Sequence, residues 1–275
     1  MLIRIGHRPN PDDAFMIWAL VSGEVDQRDL EFESRPDGLE SLNLRAREGE
    51  LEVTALSVST YPFVQDRYAL IPHGASMGAE SDPVLISREP ISRERLRSTE
   101  IVVPGETVTS FLVLRIFLDG DFPYRVMPAD EIFDEVMSGR AAAGLVAEES
   151  RLADGHRGRL ESVDLGEWWL LETGLPLPLT VNVARRDLGD RLPNVSHAIR
   201  ESILAGLSNR RRAMAYAMRF GRSSNAAITD RFVGMYVNEL SFDFGDEGRQ
   251  AIAELLRRAQ AIDAFENPVK IEFVA

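Results

Sequence analysis

The residues best able to do chemistry in this chain stand just after runs that read as strands. His7 follows the apolar run Leu2–Gly6 and opens His7-Arg8-Pro9-Asn10-Pro11-Asp12-Asp13. At a strand end this histidine and the helix start after it could face a ligand, although a lone histidine is more often structural. His7 is better placed than His73, His156 and His197, and none of the four shares the His-x-x-x-His spacing of a transition-metal site. Ser57 closes Ala55-Leu56-Ser57, where its hydroxyl either caps the next helix or binds a ligand oxygen. Glu148 and Glu149 follow the apolar run Ala142–Ala147; acids there either hold a general base or open a solvated helix. Thr107, Thr109 and Ser110 lie in Val103-Pro104-Gly105-Glu106-Thr107-Val108-Thr109-Ser110, a strand-to-helix turn. A helix start offers free N–H groups and a positive dipole end to a carboxylate or phosphate, although a threonine there can equally be a plain cap. The turn lacks the Gly-Lys-Ser/Thr ending of a P-loop, so a carboxylate suits it at least as well as a phosphate. Asn43 is an oddity inside a helical stretch, because asparagine is a poor helix former.

These positions need elements to hold them. Asn10 as N-cap, Pro11 at the first helical position and Asp12 and Asp13 in the first turn predict a helix over Asn10–Ser22. Strands are expected at Leu2–Gly6, Leu30–Ser34, Glu52–Ser57, Ala69–Ile71 and Pro83–Arg88, with a helix at Gly38–Glu48 and another before Ala69. A second unit follows: strands at Glu100–Pro104, Tyr124–Met127 and Ala142–Ala147, and helices at Thr107–Leu118 and Ala129–Ser138. After a last strand, Val181–Arg185, the chain reads as helical over Asn194–Phe220, Asn225–Glu239 and Gly245–Ala261.

Strands alternating with helices imply an α/β protein with mostly parallel sheets covered on both faces. Two such units with a helical tail predict two lobes: residues 1–88 with 186–275, and residues 89–185. The crossing strands are expected at Val84–Arg88 and Val181–Arg185. Ligands of open α/β sheets bind at the carboxyl ends of strands, so two facing lobes make a small-molecule cleft with Gly6–Phe15 on its wall.

The chain has 275 residues, with 31 Lys plus Arg against 44 Asp plus Glu and a net charge of −13. That acidity argues against nucleic acid and anionic membranes as partners. There is no cysteine, which excludes disulfides, thiolate catalysis and Cys-ligated metals. No stretch reaches the roughly 18 apolar residues of a membrane span, and the first residues carry no signal-peptide pattern, so a cytoplasmic location is expected. Trp168-Trp169 and Thr173-Gly-Leu-Pro-Leu-Pro178-Leu-Thr180 could wall a flat ring or form a lid packed on itself.

Several of these runs occur together in one family. Pro9–Phe15, Ala55-Leu56-Ser57, Val103-Pro104-Gly105, Ala143–Arg151, Asp164–Trp169, Thr173–Leu179 and Tyr236-Val237-Asn238 stand in the same order as in the 1,4-dihydroxy-6-naphthoate synthases, which the chain resembles over nearly its whole length. The resemblance implies a fold like the type II periplasmic binding proteins, with an interdomain cleft. It implies cleavage of cyclic dehypoxanthinyl futalosine to 1,4-dihydroxy-6-naphthoate and dihydroxyacetone, on the futalosine route to menaquinone, with no cofactor and no metal. It places substrate contacts at Ala55, Leu56 and Ser57 and near Thr109 and Ser110, and matches Asn43 to a cleft position.

One position departs from the family. Its histidine, the proton acceptor, is Glu148 here. An unperturbed glutamate lies about two pKa units below a histidine, roughly 3 kcal/mol of lost basicity unless burial raises it. His7 is the alternative base. Two other readings stay open: chorismate dehydratase, disfavoured by the Trp-Trp and Leu-Pro-Leu-Pro block, and a non-catalytic carboxylate-binding protein of the same fold.

Overall fold

A computed structural model describes residues 1–78, 83–146, 160–221 and 225–274. The chain divides into two units, Met1–Met77 with Pro178–Ile252 and Val269–Ala275, and Gly78–Leu177 with Ala253–Pro268.

The first unit is built on a mixed sheet. Its strands are β1 (Leu2–His7), β2 (Glu31–Pro36), β3 (Val53–Ser57), β4 (Tyr68–Gly78) and β10 (Leu177–Arg185), in the order β2-β1-β3-β10-β4. β1 runs parallel to β2 and β3, with Gly6 opposite Arg35 and Thr54, while β10 runs antiparallel to β3, with Val181 opposite Leu56. Two parallel neighbours and a fully buried β3 explain the near-continuous apolar reading of these strands. The helix α1 (Pro11–Val21) starts as the sequence predicts: Asn10 is extended, Pro11 sits in the first turn, and Asp12 and Asp13 follow. Every residue from Pro11 to Leu20 is buried, because α1 is covered by α7 (Leu192–Ser208) and α8 (Arg210–Ala217). Ser202 ties this packing together, donating to the Met16 carbonyl at 2.7 Å and accepting from the Leu20 amide at 3.2 Å. The helix α2 (Leu39–Glu48) ends on Gly49, whose φ of 73° gives the left-handed cap that glycine adopts without a Cβ penalty.

The open edge of β4 is covered by the C-terminal segment. Leu70 donates to the Glu272 carbonyl at 2.9 Å and accepts from the Val274 amide at 2.8 Å. Covering an edge in this way removes a template for pairing with other chains.

The second unit has its own mixed sheet, β7-β6-β8-β5-β9, from β5 (Val84–Ser87), β6 (Ile101–Val103), β7 (Tyr124–Val126), β8 (Ala143–Val146) and β9 (Glu161–Asp164). Its core includes Val84, Ile86, Val102, Ile132, Phe133 and Val136. The helices are α3 (Arg93–Leu96), α4 (Thr109–Phe117), α5 (Ile132–Met137) and α6 (Leu165–Thr173). The long last helix, α11 (Gly245–Ala261), gives residues to both units and follows α9 (Ala226–Tyr236) and α10 (Glu239–Phe242).

The unit boundaries differ from the expected 88/89 and 185/186. The chain leaves the first unit after Met77 and returns at Pro178. Val84–Ser87 pairs with β8 and β9, and Val181–Ala184 pairs with β3, so neither segment is the crossing itself. Pro72 and Pro178 hide the reason, because prolines inside β4 and β10 make both long strands read as interrupted.

Candidate active site

In the first unit the register of the sheet gathers the candidates. Parallel pairing of Gly6 with Thr54 brings the chain leaving β1 and the chain leaving β3 to the same sheet edge. His7 is the last residue of β1 and is 2% exposed. Its Nδ1 lies 2.8 Å from the Arg8 carbonyl, which can only accept, so Nδ1 carries the proton. Nε2 then accepts from the Ser34 hydroxyl at 2.8 Å, and the ring meets the edge of Phe220 at 5.6 Å between centroids. Burial holds the ring below the usual histidine pKa, against the pull of Asp13. His7 is therefore a neutral imidazole with both nitrogens engaged. As a base it must first release Ser34.

Asn43 and Ser57 are both fully buried and joined twice, as the next strand end requires. The asparagine that looked out of place in α2 is thus the residue that fixes the end of β3. Ala55 and Leu56 precede Ser57 in the same strand and are buried with it.

Arg8 stands between two acids of the first helical turn. Its guanidinium donates to Asp12 Oδ2 at 2.7 Å and to Asp13 at 2.6 Å (Oδ1) and 3.2 Å (Oδ2), and its amide donates to Asp13 Oδ2 at 2.8 Å. Burial favours protonation of Asp13, but the guanidinium outweighs it and holds Asp13 below the usual carboxylate range. In Asp12 burial wins over Arg8 and pushes the carboxyl up to about 6. The sequence placed these acids in the first helical turn, on the segment expected to wall the cleft, and gave them no ion-pair partner. Arg8 lies in the turn before α1, so its pairing with Asp12 follows from the turn and not from helical spacing. Ser34 gave no sequence signal, since its role depends on the pairing of β1 with β2.

In the second unit Thr109 is the first residue of α4, two positions later than expected. Val108 occupies the N-cap and cannot cap with its side chain, so the helix start has no side-chain cap. Thr109 is buried, while Thr107 and Ser110 are partly exposed beside it. A helix beginning with polar side chains and no capping oxygen suits an anion.

Glu148 lies outside the described residues, as do Glu149, Ser150 and Arg151. Of the aromatic pair, Trp169 is fully buried and donates Nε1–H to the Pro176 carbonyl at 3.2 Å. It is core. Trp168 packs edge-on against Phe117 at 5.1 Å. Both lie in the second unit, whereas Pro178 is the residue at which the chain re-enters the first. Among the described residues, no group of three or more His, Asp or Glu is placed to hold a metal ion. No described helix is long and apolar enough to cross a membrane.

A family model described as menaquinone biosynthesis matches residues 3–261. The 1,4-dihydroxy-6-naphthoate synthase of Thermus thermophilus is 35% identical over 260 residues, covering 94% of each chain. The chain belongs to the menaquinone-biosynthesis family of 1,4-dihydroxy-6-naphthoate synthases. The family's Streptomyces coelicolor enzyme is 34% identical over 268 residues, 94% of this chain and 93% of its own. Among solved structures, an Archaeoglobus fulgidus protein superposes with a TM-score of 0.85 at 35% identity, covering 94% of this chain and 97% of that one. The ligand-binding component of a Staphylococcus aureus ABC-type importer, solved with zinc bound, superposes with a TM-score of 0.65 at 16% identity, covering 98% and 97%. That likeness shows the fold: a two-lobed α/β architecture of the periplasmic-binding-protein type.

Proposed function

We propose that this protein converts cyclic dehypoxanthinyl futalosine to 1,4-dihydroxy-6-naphthoate and dihydroxyacetone, as a cytoplasmic carbon–carbon lyase of the futalosine route to menaquinone. The observation that carries the reading is full-length kinship: two curated relatives bearing the synthase name, at 35% and 34% identity, each align over 94% of this chain.

The reaction asks for three things: a base, partners for the substrate's hydroxyl and carbonyl oxygens, and a place for its carboxylate. Ser57, oriented by Asn43, and the neighbouring Ala55 and Leu56 are proposed for the oxygens. Thr107, Thr109 and Ser110 at the start of α4, where Val108 gives no side-chain cap, are proposed for the carboxylate by charge–dipole attraction. Glu148 takes the family histidine's position and is proposed as a proton acceptor. His7 is the alternative, at the cost of its bond to Ser34.

The test is direct. Purified protein incubated with cyclic dehypoxanthinyl futalosine should release dihydroxynaphthoate and dihydroxyacetone in equal amounts. No naphthoate at high enzyme concentration would sink the proposal. A parallel incubation with chorismate should leave it unchanged.

A further inference from the structure

We propose that a pocket of ≈ 400 Å³ in the second unit binds an aromatic carboxylate, with its ring against Trp168 and its carboxylate on the unused N–H groups of Arg93 and Arg258. Its lining residues all lie in Gly78–Leu177 or Ala253–Pro268, and none is among those proposed for the reaction. The site therefore goes beyond the synthase reading and stands without it.

A row of aromatic rings builds the wall. Phe117, the last residue of α4, meets Trp168 edge-on at 5.1 Å, and Trp168 meets Trp169 at 6.5 Å. A guanidinium closes each end of the row: Arg93 lies 5.0 Å from the Phe117 ring centroid, and Arg258 lies 5.3 Å from that of Trp169. These cation–π contacts hold both side chains in place before any ligand arrives. Phe117 and Trp169 are core, whereas Trp168 is half-buried and lines the pocket together with the apolar Ile116 and Ile262. Its indole offers a flat ligand apolar surface of the right shape. The tryptophan that the sequence singled out as a ring wall thus keeps that capacity, inside the second unit.

The guanidinium groups are only partly spent. Arg93 and Arg97 share one oxygen of Asp119, Arg93 at 2.9 Å. Arg257 takes both oxygens of Glu254 at 2.7 Å, and Arg258 Nε adds to Oε1 at 2.7 Å. Arg258 Nη1 stands 3.8 Å from Glu172, beyond hydrogen-bond reach. Among the described residues, Nε and Nη1 of Arg93 and both Nη groups of Arg258 therefore have no hydrogen-bond partner. Four arginines meet three carboxylates here, in a chain whose net charge is −13. Hydrogen bonds from Arg257 and Arg258 hold the Glu254 carboxyl down to about 2, in keeping with a local surplus of positive charge. A guanidinium fork matches the two oxygens of a carboxylate. Asp119 and Glu172 also line the pocket, and they repel a doubly charged phosphate more than a singly charged carboxylate. A naphthalene ring bearing one carboxylate satisfies both halves of the site, so 2-naphthoate is the probe.

The experiment titrates nitrogen-labelled protein with 2-naphthoate and follows the indole N–H signals of Trp18, Trp168 and Trp169 by NMR, assigned through Trp168→Phe and Trp169→Phe. The Trp168 signal should move saturably, with a Kd of about 0.1–1 mM, while that of Trp18 in the first unit stays still. 2-Naphthol, acetate and inorganic phosphate should each bind at least about tenfold more weakly. Arg93→Gln and Arg258→Gln should each weaken 2-naphthoate about tenfold, through the lost charged hydrogen bond. Glu172→Gln should tighten it, by removing a competing carboxylate. A still Trp168 signal at about 10 mM 2-naphthoate overturns the proposal. So does phosphate binding as tight as that of 2-naphthoate, or binding within about twofold of wild type in both arginine variants. If Arg258→Gln does not fold, Arg93→Gln decides alone, since that side chain is 43% exposed. Ser110→Asp, which alters the helix end proposed for the substrate, should leave the titration unchanged. Loss of the Trp168 shift in that variant would mean that the probe reads the substrate site, and the separate pocket would fall while the synthase reading stood.

Discussion

Asn43 and Ser57 hold each other by two hydrogen bonds of 2.9 Å, one from the asparagine Nδ2 to the serine hydroxyl and one from the serine amide to the asparagine Oδ1. The two bonds have different consequences when broken. Asn43→Ala strands a fully buried amide, which costs about 1–3 kcal/mol, so urea unfolding should show that loss. Ser57→Ala keeps the amide bond and should cost about 1 kcal/mol of stability. Its larger effect should be on KM, about tenfold, if the hydroxyl hydrogen-bonds substrate. Equal KM values in Ser57→Ala and wild type would remove Ser57 from the site.

His7 and Asp12 should drive stability in opposite directions with pH. The folded pKa of His7 lies below its ordinary value of 6.5, so as pH falls through 6.5 the unfolded chain takes up the proton first and the fold loses stability. The folded pKa of Asp12 is raised to about 6 from 3.8, so as pH falls through 6 the folded chain takes up the proton first and the fold gains. His7→Gln should therefore be more stable at pH 5 relative to pH 7.5 than wild type is, and Asp12→Asn less so. Denaturation curves at about those two pH values measure both signs, and equal differences in all three proteins would refute the assignment.

Gly6 is required by its surroundings. A Cβ there would lie 2.6 Å from Leu51 Cδ1 and 2.8 Å from both Leu42 Cδ2 and Thr54 Oγ1. Gly6→Ala must push α2 away from the sheet, which costs about 1–3 kcal/mol. Because Leu42 precedes Asn43 in α2, the same displacement should raise KM. A variant with unchanged melting and unchanged KM would show that the interface yields freely.

Much of this arrangement was legible in the chain, and the failures have physical causes. Asn10-Pro11-Asp12-Asp13 marked a helix start, and Gly245–Ala261 was bounded as found, because both depend on local chemistry. The expected helix Asn194–Phe220 is broken at Asn209, whose φ of −119° and ψ of 45° end α7 and open α8. Its apolar period runs across the break and conceals it. The segment read as a helix before Ala69 is a short 3-10 turn, Val58–Phe63, with Pro62 inside. Asp164 caps α6 through Gly166 and Glu167, yet Trp168 and Trp169 drew attention as a ring wall. Among the candidate residues, Ser57 and His7 were visible in the sequence because they end strands. The Asn43–Ser57 clamp and the Ser34 bond to His7 were not, since they join residues 14 and 27 positions apart through tertiary pairing.

Trp169 should behave as core. Its side chain is fully buried, with Nε1–H on the Pro176 carbonyl and Arg258 over the ring at 5.3 Å. Trp169→Ala should cost about 3–5 kcal/mol, read by denaturant titration. Trp169→Phe should cost less and leave KM near wild type. A large KM increase in a stable Trp169→Phe protein would return the residue to the ring-wall role.

The start of α4 offers the cleanest separation of binding from stability. Ser110 is partly exposed, and no side chain caps the helix. Ser110→Ala should therefore shift stability by no more than about 0.5 kcal/mol. If the substrate carboxylate rests on this helix end, the lost hydroxyl should raise KM about five- to tenfold and leave kcat nearly intact, because the contact is made equally in ground and transition states. Placing an acid there, Ser110→Asp, should raise KM further by repelling the carboxylate, more strongly at low ionic strength. Unchanged KM in both variants would mean that the carboxylate binds elsewhere, and the helix start would revert to an uncapped end with no ligand role.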